Sequence, residues 1–256
     1  MEQPDKEVVV VKYGSTSVTN EAGMDIGRIG TYSNQISRLL FRYNVVIVSS
    51  GAIVTGRAIE KDKPKMEDGD YASVGSVPAC AAWQKELSIR SISSGQVPVT
   101  NHEIDSIEGE SLRRRMFSMM RHEIVPVANG NDVLSDEGPK ELRIDTDNDR
   151  LAGHIAKLLA ARHLILVTDK PGLQERNDKV VSLVTPDNLE GAYSLVREED
   201  NNGESGGMHS KIDVAYDFSE ISPIRPQPGF AHIAGARDDL QSVIAGHVGT
   251  HFAPHD

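Results

Sequence analysis

Short blocks of β-branched and aliphatic residues recur along the chain, each bounded by polar residues or glycine. Residues 8–11 are consecutive valines, and comparable blocks occupy residues 45–48, 96–100, 124–128 and 164–167. Blocks this short and this continuously apolar predict strands of a mostly parallel sheet, buried on both faces. Between them the apolar period changes. Leu151, Ile155, Leu158 and Leu159 fall at i, i+4, i+7 and i+8, and Met208, Ile212, Ala215 and Phe218 repeat at similar intervals. These spacings predict amphipathic helices. Trp83, Met119 and Met120 also lie in helical patterns, where packing explains them. The alternation predicts an α/β sandwich with helices on both faces of the sheet.

The remaining stretches are polar or broken. Residues 60–70 predict an exposed loop, and residues 198–207 a polar, glycine-rich connection. Residues 222–229 contain Pro223, Pro226 and Pro228, which exclude regular structure. Residues 253–256 predict a frayed tail. No internal repeat or long linker divides the chain, so one domain over residues 1–256 is expected.

Composition narrows the function classes. The formal net charge is −11, so the surface repels phosphate backbones and nucleic acid is not an expected partner. A few local lysines and backbone N–H groups can still hold a nucleotide. Cys80 is the only cysteine, which excludes an internal disulfide or a cysteine zinc cluster. The N-terminus lacks a signal-peptide core and no apolar run reaches the ~20 residues of a membrane span. A cytoplasmic protein with no membrane partner is expected.

In parallel sheets ligands bind beyond the carboxyl ends of the strands, so the residues there are the candidates. Lys12-Tyr13-Gly14-Ser15 closes the first block; a lysine followed by glycine and hydroxyl residues suits a phosphate, although a plain turn explains it equally well. Ser49-Ser50-Gly51-Ala52 closes the second and leads into a predicted helix, where Ser50 serves as an N-cap, an anion contact or both. Asn129-Gly130-Asn131-Asp132 follows the fourth block. Asp145-Thr146-Asp147-Asn148-Asp149 then opens a helical stripe, and one Asp suffices as its cap, which leaves the others for ligand work. Thr168 and Asp169 follow the fifth block. Last, Ser205-Gly206-Gly207-Met208-His209-Ser210-Lys211 puts a lysine in the first turn of a helix. That position opposes the helix dipole unless an anion is bound.

Several motifs are missing: G-x-x-x-x-G-K-[ST], G-x-G-x-x-G, H-R-D and H-E-x-x-H. His247 and His251 are four apart but flank a predicted strand, which argues against a metal pair, and Arg113-Arg114-Arg115 reads as a solvated helix face.

Together the segments VVVVKYGSTSVT, VVIVSSGAIVTGR, IVPVANGNDV, DTDNDRLAGHIA, LILVTDKPGL, GESGGMHSK and VGTHF resemble, in one order, the amino acid kinase family and its glutamate-phosphorylating members in particular. The resemblance implies an open αβα sandwich of the carbamate kinase-like type. It implies ATP and Mg²⁺ as cofactors, with the metal bridging the phosphates, and L-glutamate as acceptor in the first step of proline synthesis. Lys12 and Lys211 would neutralise the phosphates and Asp149 would orient both lysines. Ser50, Gly51, Asp132 and Asn148 would bind the acceptor. Gly14, Thr168, Asp169, Ser205, Gly206, Gly207 and Met208 would line the nucleotide side with the two lysines.

The resemblance further implies a homo-oligomer, dimer or tetramer, and proline as feedback inhibitor. Many family members carry a C-terminal PUA domain; here the sequence stops after VGTHF, so a form without it is expected. Gly130 stands where a larger residue such as Glu is common, Ser205 where Thr is usual, and the stretch after Gly172 is short. Two alternatives stay open: a kinase of the same fold acting on N-acetylglutamate, carbamate or isopentenyl phosphate, and a non-catalytic amino-acid sensor.

Overall fold

The computed structural model describes residues 5–100, 104, 108–134, 147–197, 207–221 and 229–255. Besides a small hairpin of Thr19–Asn20 with Gly23–Met24, the strands are β1 (Val8–Tyr13), β2 (Asn44–Ser49), β3 (Ser93–Val99), β4 (Ile124–Gly130), β5 (His163–Thr168), β6 (Leu183–Val184), β7 (Phe230–Gly235) and β8 (Thr250–Phe252). β1 to β8 form one sheet in the order β3-β4-β2-β1-β5-β7-β8-β6, parallel except where β8 runs against β7. The main helices are α1 (Ile26–Leu39), α2 (Ala52–Ile59), α3 (Asp68–Ser88), α4 (Glu108–Arg121), α5 (Asn148–Leu158), α6 (Met208–Ser219) and α7 (Leu240–Ile244). The expected α/β sandwich with a mostly parallel central sheet is present. Each expected strand is there, one or two residues longer at most ends; β6, β7 and β8 had no counterpart among the apolar blocks.

Strand alternation sorts the core into two layers. Val8, Val10, Val46, Val48, Leu164 and Leu166 pack under α4, α5 and α6, with Met116, Leu151, Ile155 and Ile212. Val9, Val11, Tyr13, Ile47, Ile165 and Val167 pack under α1, α3 and α7, with Ile29, Tyr32, Trp83 and Val243. Lys12 shares its parity with Val8 and Val10, so β1 delivers the lysine to the α5 and α6 side.

Helices α2 and α3 cross at backbone contact. A Cβ added at Gly75 would fall 1.9 Å from the Ala52 carbonyl oxygen, and one at Gly56 1.9 Å from that of Tyr71. This close approach fixes α2, whose start borders the strand ends.

Two local expectations are corrected. The predicted loop over residues 60–70 ends at Glu67, because α3 begins at Asp68; Asp68 and Asp70 complement the positive end of the helix dipole. The tail is pinned through residue 255. His255 N–H donates to the Ser219 carbonyl (3.1 Å), Ile221 N–H donates to the His255 carbonyl (2.8 Å), and the His255 ring stacks on Tyr216. Most of residues 198–207 and 222–229 lies outside the described residues. Among the described residues, no helix is long and apolar enough to cross a membrane.

Three histidines run across adjacent strands on the α1 and α7 side. His163 Nδ1 lies 3.1 Å from His232 Nε2, and His232 Nδ1 lies 2.8 Å from His251 Nδ1. His251 is within β8, and its partner is His232, not His247. Burial, helped by the Arg162 cation, pushes His163 down to about 4. Burial also lowers His232 and His251, with the neighbouring histidines adding to the effect at His232. Neutral rings are therefore favoured in the fold, while the unfolded chain takes up protons near the ordinary histidine value of ~6.5. Stability is full above that value and falls as pH drops toward the folded values. Urea unfolding at pH 7.5 and pH 5 should show a loss on the order of 2 kcal/mol from His163 alone. His163→Phe should flatten the difference. An equally steep loss in the variant would remove His163 as its source.

Candidate functional site

The sheet's carboxyl edge gathers residues that are far apart in sequence. Lys12 Nζ lies 2.6 Å from Asp149 Oδ1, and Lys211 Nζ donates to Asp149 Oδ2 at 2.9 Å. Asp149 is 0% exposed, Lys12 3% and Lys211 6%. Burial would push the Asp149 carboxyl up, but the two ammonium groups outweigh it and hold the group below the usual carboxylate range. Burial also draws Lys211 below its ordinary value, opposed by Asp149 and reinforced by the charge of Lys12. The triplet carries one net positive charge, a setting that favours a phosphate.

Each member has a local cause. Lys12 is the penultimate residue of β1. Asp149 is in the first turn of α5, whose N-cap is Asp147: its Oδ1 accepts from Asp149 N–H at 2.8 Å. One aspartate is thus the cap, and Asp149 faces the lysines. Lys211 is in the first turn of α6, which starts after Gly207 without a side-chain cap of its own. Both helices thus begin beside the lysines, where the first-turn N–H groups lack intrahelical partners.

On one side of the triplet lie the candidate acceptor residues. Gly51 is the N-cap of α2 at φ 108°, a left-handed conformation that favours glycine, and an added Cβ would strike Met24 Sδ at 2.9 Å. Ser50 is therefore not the cap; its hydroxyl is left for other use. The strand end beneath it is fixed: Trp83 Nε1–H donates to Ser49 Oγ (2.8 Å), and Asn129 Nδ2–H to the Ser49 carbonyl (2.7 Å). Asn148 Oδ1 accepts from Gly130 N–H at 3.1 Å, tying α5 to the end of β4. A Cβ on Gly130 would fall 3.1 Å from Asp132 Oδ1 and 3.2 Å from Asn148 Oδ1. The missing side chain lets these two oxygens converge. Burial, with the Asp68 carboxylate on α3 adding to it, raises Asp132 to about 7.

On the other side are Gly14, Thr168 and Asp169. Gly14 N–H donates to the Val167 carbonyl (3.3 Å), and Thr168 Oγ1–H donates to Asp169 Oδ1 (3.1 Å). Gly207 and Met208 open α6. Ser205 and Gly206, with Asp145 and Thr146, lie outside the described residues. Among the described residues, no group of three or more His, Cys, Asp or Glu could hold a metal ion. Sequence reasoning missed Asp68, the Trp83–Ser49–Asn129 brace, and a bond from Ser210 Oγ–H to Asp147 Oδ2 at 2.6 Å. All three act through tertiary contact, which leaves no local pattern.

The model of the amino acid kinase family matches residues 7–225. The chain belongs to the amino acid kinase family. It is 32% identical over 220 residues to the glutamate 5-kinase of Methylibium petroleiphilum, covering 81% of this chain and 58% of that protein. It is 30% identical over 259 residues to the glutamate 5-kinase of Leifsonia xyli subsp. xyli, covering 96% and 90%. The chain thus spans well under two thirds of the first relative's length. Among solved structures, carbamate kinase from Giardia lamblia bound to AMP-PNP superposes with a TM-score of 0.67 at 12% identity, over 97% of this chain and 99% of that one. At that identity the likeness shows the fold, a carbamate kinase-like one.

Asp149→Asn leaves two buried ammonium groups without their carboxylate. Removing one partner of a buried ion pair costs roughly 3–5 kcal/mol, so urea unfolding should show a loss of that order. A variant as stable as the wild type would mean that the lysines do not depend on Asp149.

Proposed function

We propose that the protein transfers the γ-phosphoryl group of ATP to the γ-carboxylate of L-glutamate, giving L-glutamyl 5-phosphate and ADP. The observation that carries this reading is the convergence of Lys12 and Lys211 on Asp149 at the sheet edge. Family membership and the similarity to glutamate 5-kinases support it. An oxygen of the acceptor carboxylate forms the new bond to the γ-phosphorus, and the bond from that phosphorus to the β–γ bridging oxygen breaks, its electrons leaving with ADP.

A carboxylate is ionised at neutral pH, so the nucleophile needs no general base. The obstacle is the meeting of two anions. Positioning and charge neutralisation are then the protein's contribution. Lys12 and Lys211 serve as the positive groups where charge builds up on the transferred phosphoryl, and Asp149 holds both in place. The two lysines and the two helix N-termini fit the phosphates of a nucleotide. Mg²⁺ would enter with the nucleotide, held by its phosphates, and would add positive charge there. Gly14, Thr168, Asp169, Ser205, Gly206, Gly207 and Met208 take the nucleotide side.

Ser50, Gly51, Asp132 and Asn148 take the acceptor. The converging oxygens of Asp132 and Asn148 suit an α-ammonium group, which distinguishes glutamate from N-acetylglutamate, carbamate and isopentenyl phosphate.

ADP release measured with each of these acceptors, Mg²⁺ present, tests the reading: L-glutamate should be preferred. Turnover with another acceptor alone, or with none, would contradict it. Lys12→Ala and Lys211→Ala should each lower kcat by roughly 10²-fold or more; near-normal kcat in both would remove their assigned role.

Asp132 supplies a pH test. With its carboxyl raised to about 7, acidification neutralises it and withdraws the partner of the ammonium group. KM for glutamate should rise as pH falls below that value, and Asp132→Asn should have a high KM without this dependence. A wild-type KM that stays flat between pH 8 and pH 6 would exclude the pairing.

A further inference from the structure

Two side-chain links join the starts of α5 and α6, and the proposed chemistry uses only one of them. Lys211 to Asp149 is the first. The second joins the residues next to them: Ser210 Oγ–H donates to Asp147 Oδ2 at 2.6 Å. The other oxygen of Asp147 accepts from Asp149 N–H at 2.8 Å. One carboxylate therefore grips the backbone of Asp149 with one oxygen and the residue preceding Lys211 with the other. A hydroxyl on a carboxylate at this distance is among the stronger neutral-to-charged hydrogen bonds.

The link matters because the N-cap of α6 is a glycine, which has no side chain to cap the first turn. Gly207 provides no side-chain hydrogen bond to the first turn, and the lysine in that turn works against the helix dipole. A side-chain bond from within the turn can fix its rotation and depth. Lys211 also has little room for error, since its ammonium group must stay on Asp149 Oδ2 and still face the phosphoryl group.

We propose that Ser210 is a positioning residue: through Asp147 it sets the first turn of α6 against that of α5, so that the Lys211 ammonium group is held at the reacting phosphate. This inference rests on the kinase reading. Ser210 touches Asp147 and acts through Lys211. The Asp147 carboxylate also favours the charged form of Lys211 against the burial that lowers it, so the strap helps to keep the lysine protonated as well as placed.

Ser210→Thr and Ser210→Val test it. The two side chains have nearly the same volume and branching and differ in the hydroxyl, so a packing effect appears in both and a hydrogen-bond effect in one. The chain is assayed with ATP, Mg²⁺ and L-glutamate, and kcat, KM for each substrate, the alkaline limb of the kcat–pH profile and the melting temperature are measured. Ser210→Val should lower kcat roughly tenfold, as expected for a displaced catalytic group. Its KM values should change by about twofold or less, and its alkaline limb should move to lower pH. Ser210→Thr should restore both kcat and the limb.

Equal kcat and pH profiles in Ser210→Val and the wild type would overturn the role of Ser210. So would equal losses in Thr and Val, which would make Ser210 a packing residue. An inactive wild type under these conditions would overturn the kinase reading itself and the inference with it, whereas an active wild type with an unaffected Val variant would overturn the inference alone.

Discussion

One buried carboxylate has to satisfy two buried ammonium groups. A lone charge in a protein interior costs several kcal/mol and tends to neutralise instead. Asp149, fully enclosed, meets Lys12 on one oxygen and Lys211 on the other. That arrangement sets conditions on the rest of the molecule. β1 must end with its lysine turned to the α5 side, and α5 must begin with its second residue facing β1. α6 must bring its fourth residue to the same point from the next strand crossing. The sheet order, with β1 central between β2 and β5, puts all three within reach.

Around this triplet the scaffold is rigid where the proposed acceptor binds. Backbone contact between α2 and α3, the left-handed Gly51, the Trp83–Ser49 bond and the Asn148–Gly130 bond all hold the strand ends from different directions. Preorganisation of this kind is what phosphoryl transfer between two anions needs, because the reaction leaves little else for the protein to supply. The histidine row lies on the other face of the sheet and belongs to stability.

Much of the core was legible because buried parallel strands write themselves as continuous apolar runs; the valines at 8–11 and residues 164–167 are examples. β7 escaped because FAHIAG mixes histidine, glycine and alanine with few branched residues; a strand was expected between His247 and His251, and β8, only three residues long, starts late enough to take in His251. The start of α3 was hidden by a charged stretch that serves as an acidic first turn. At the site, Lys12 and Lys211 could be picked out singly from strand-end and helix-start chemistry, Asp149 only as one member of an acidic run, and the resemblance gathered the three into one set. Their convergence, the Ser210–Asp147 bond across 63 positions, and the influence of Asp68 on Asp132 are products of tertiary packing. Spacing along the chain carries no record of them.

The central claim is that the two ammonium groups held by Asp149 meet the same phosphoryl group. A crystal structure of the chain with a non-hydrolysable ATP analogue, Mg²⁺ and L-glutamate addresses it directly. The account predicts Lys12 Nζ and Lys211 Nζ both within ~3 Å of oxygens on the transferred end of the triphosphate, with Asp149 between them. A triphosphate seated elsewhere on the sheet edge, or either lysine left on Asp149 with no phosphate oxygen in reach, would contradict it.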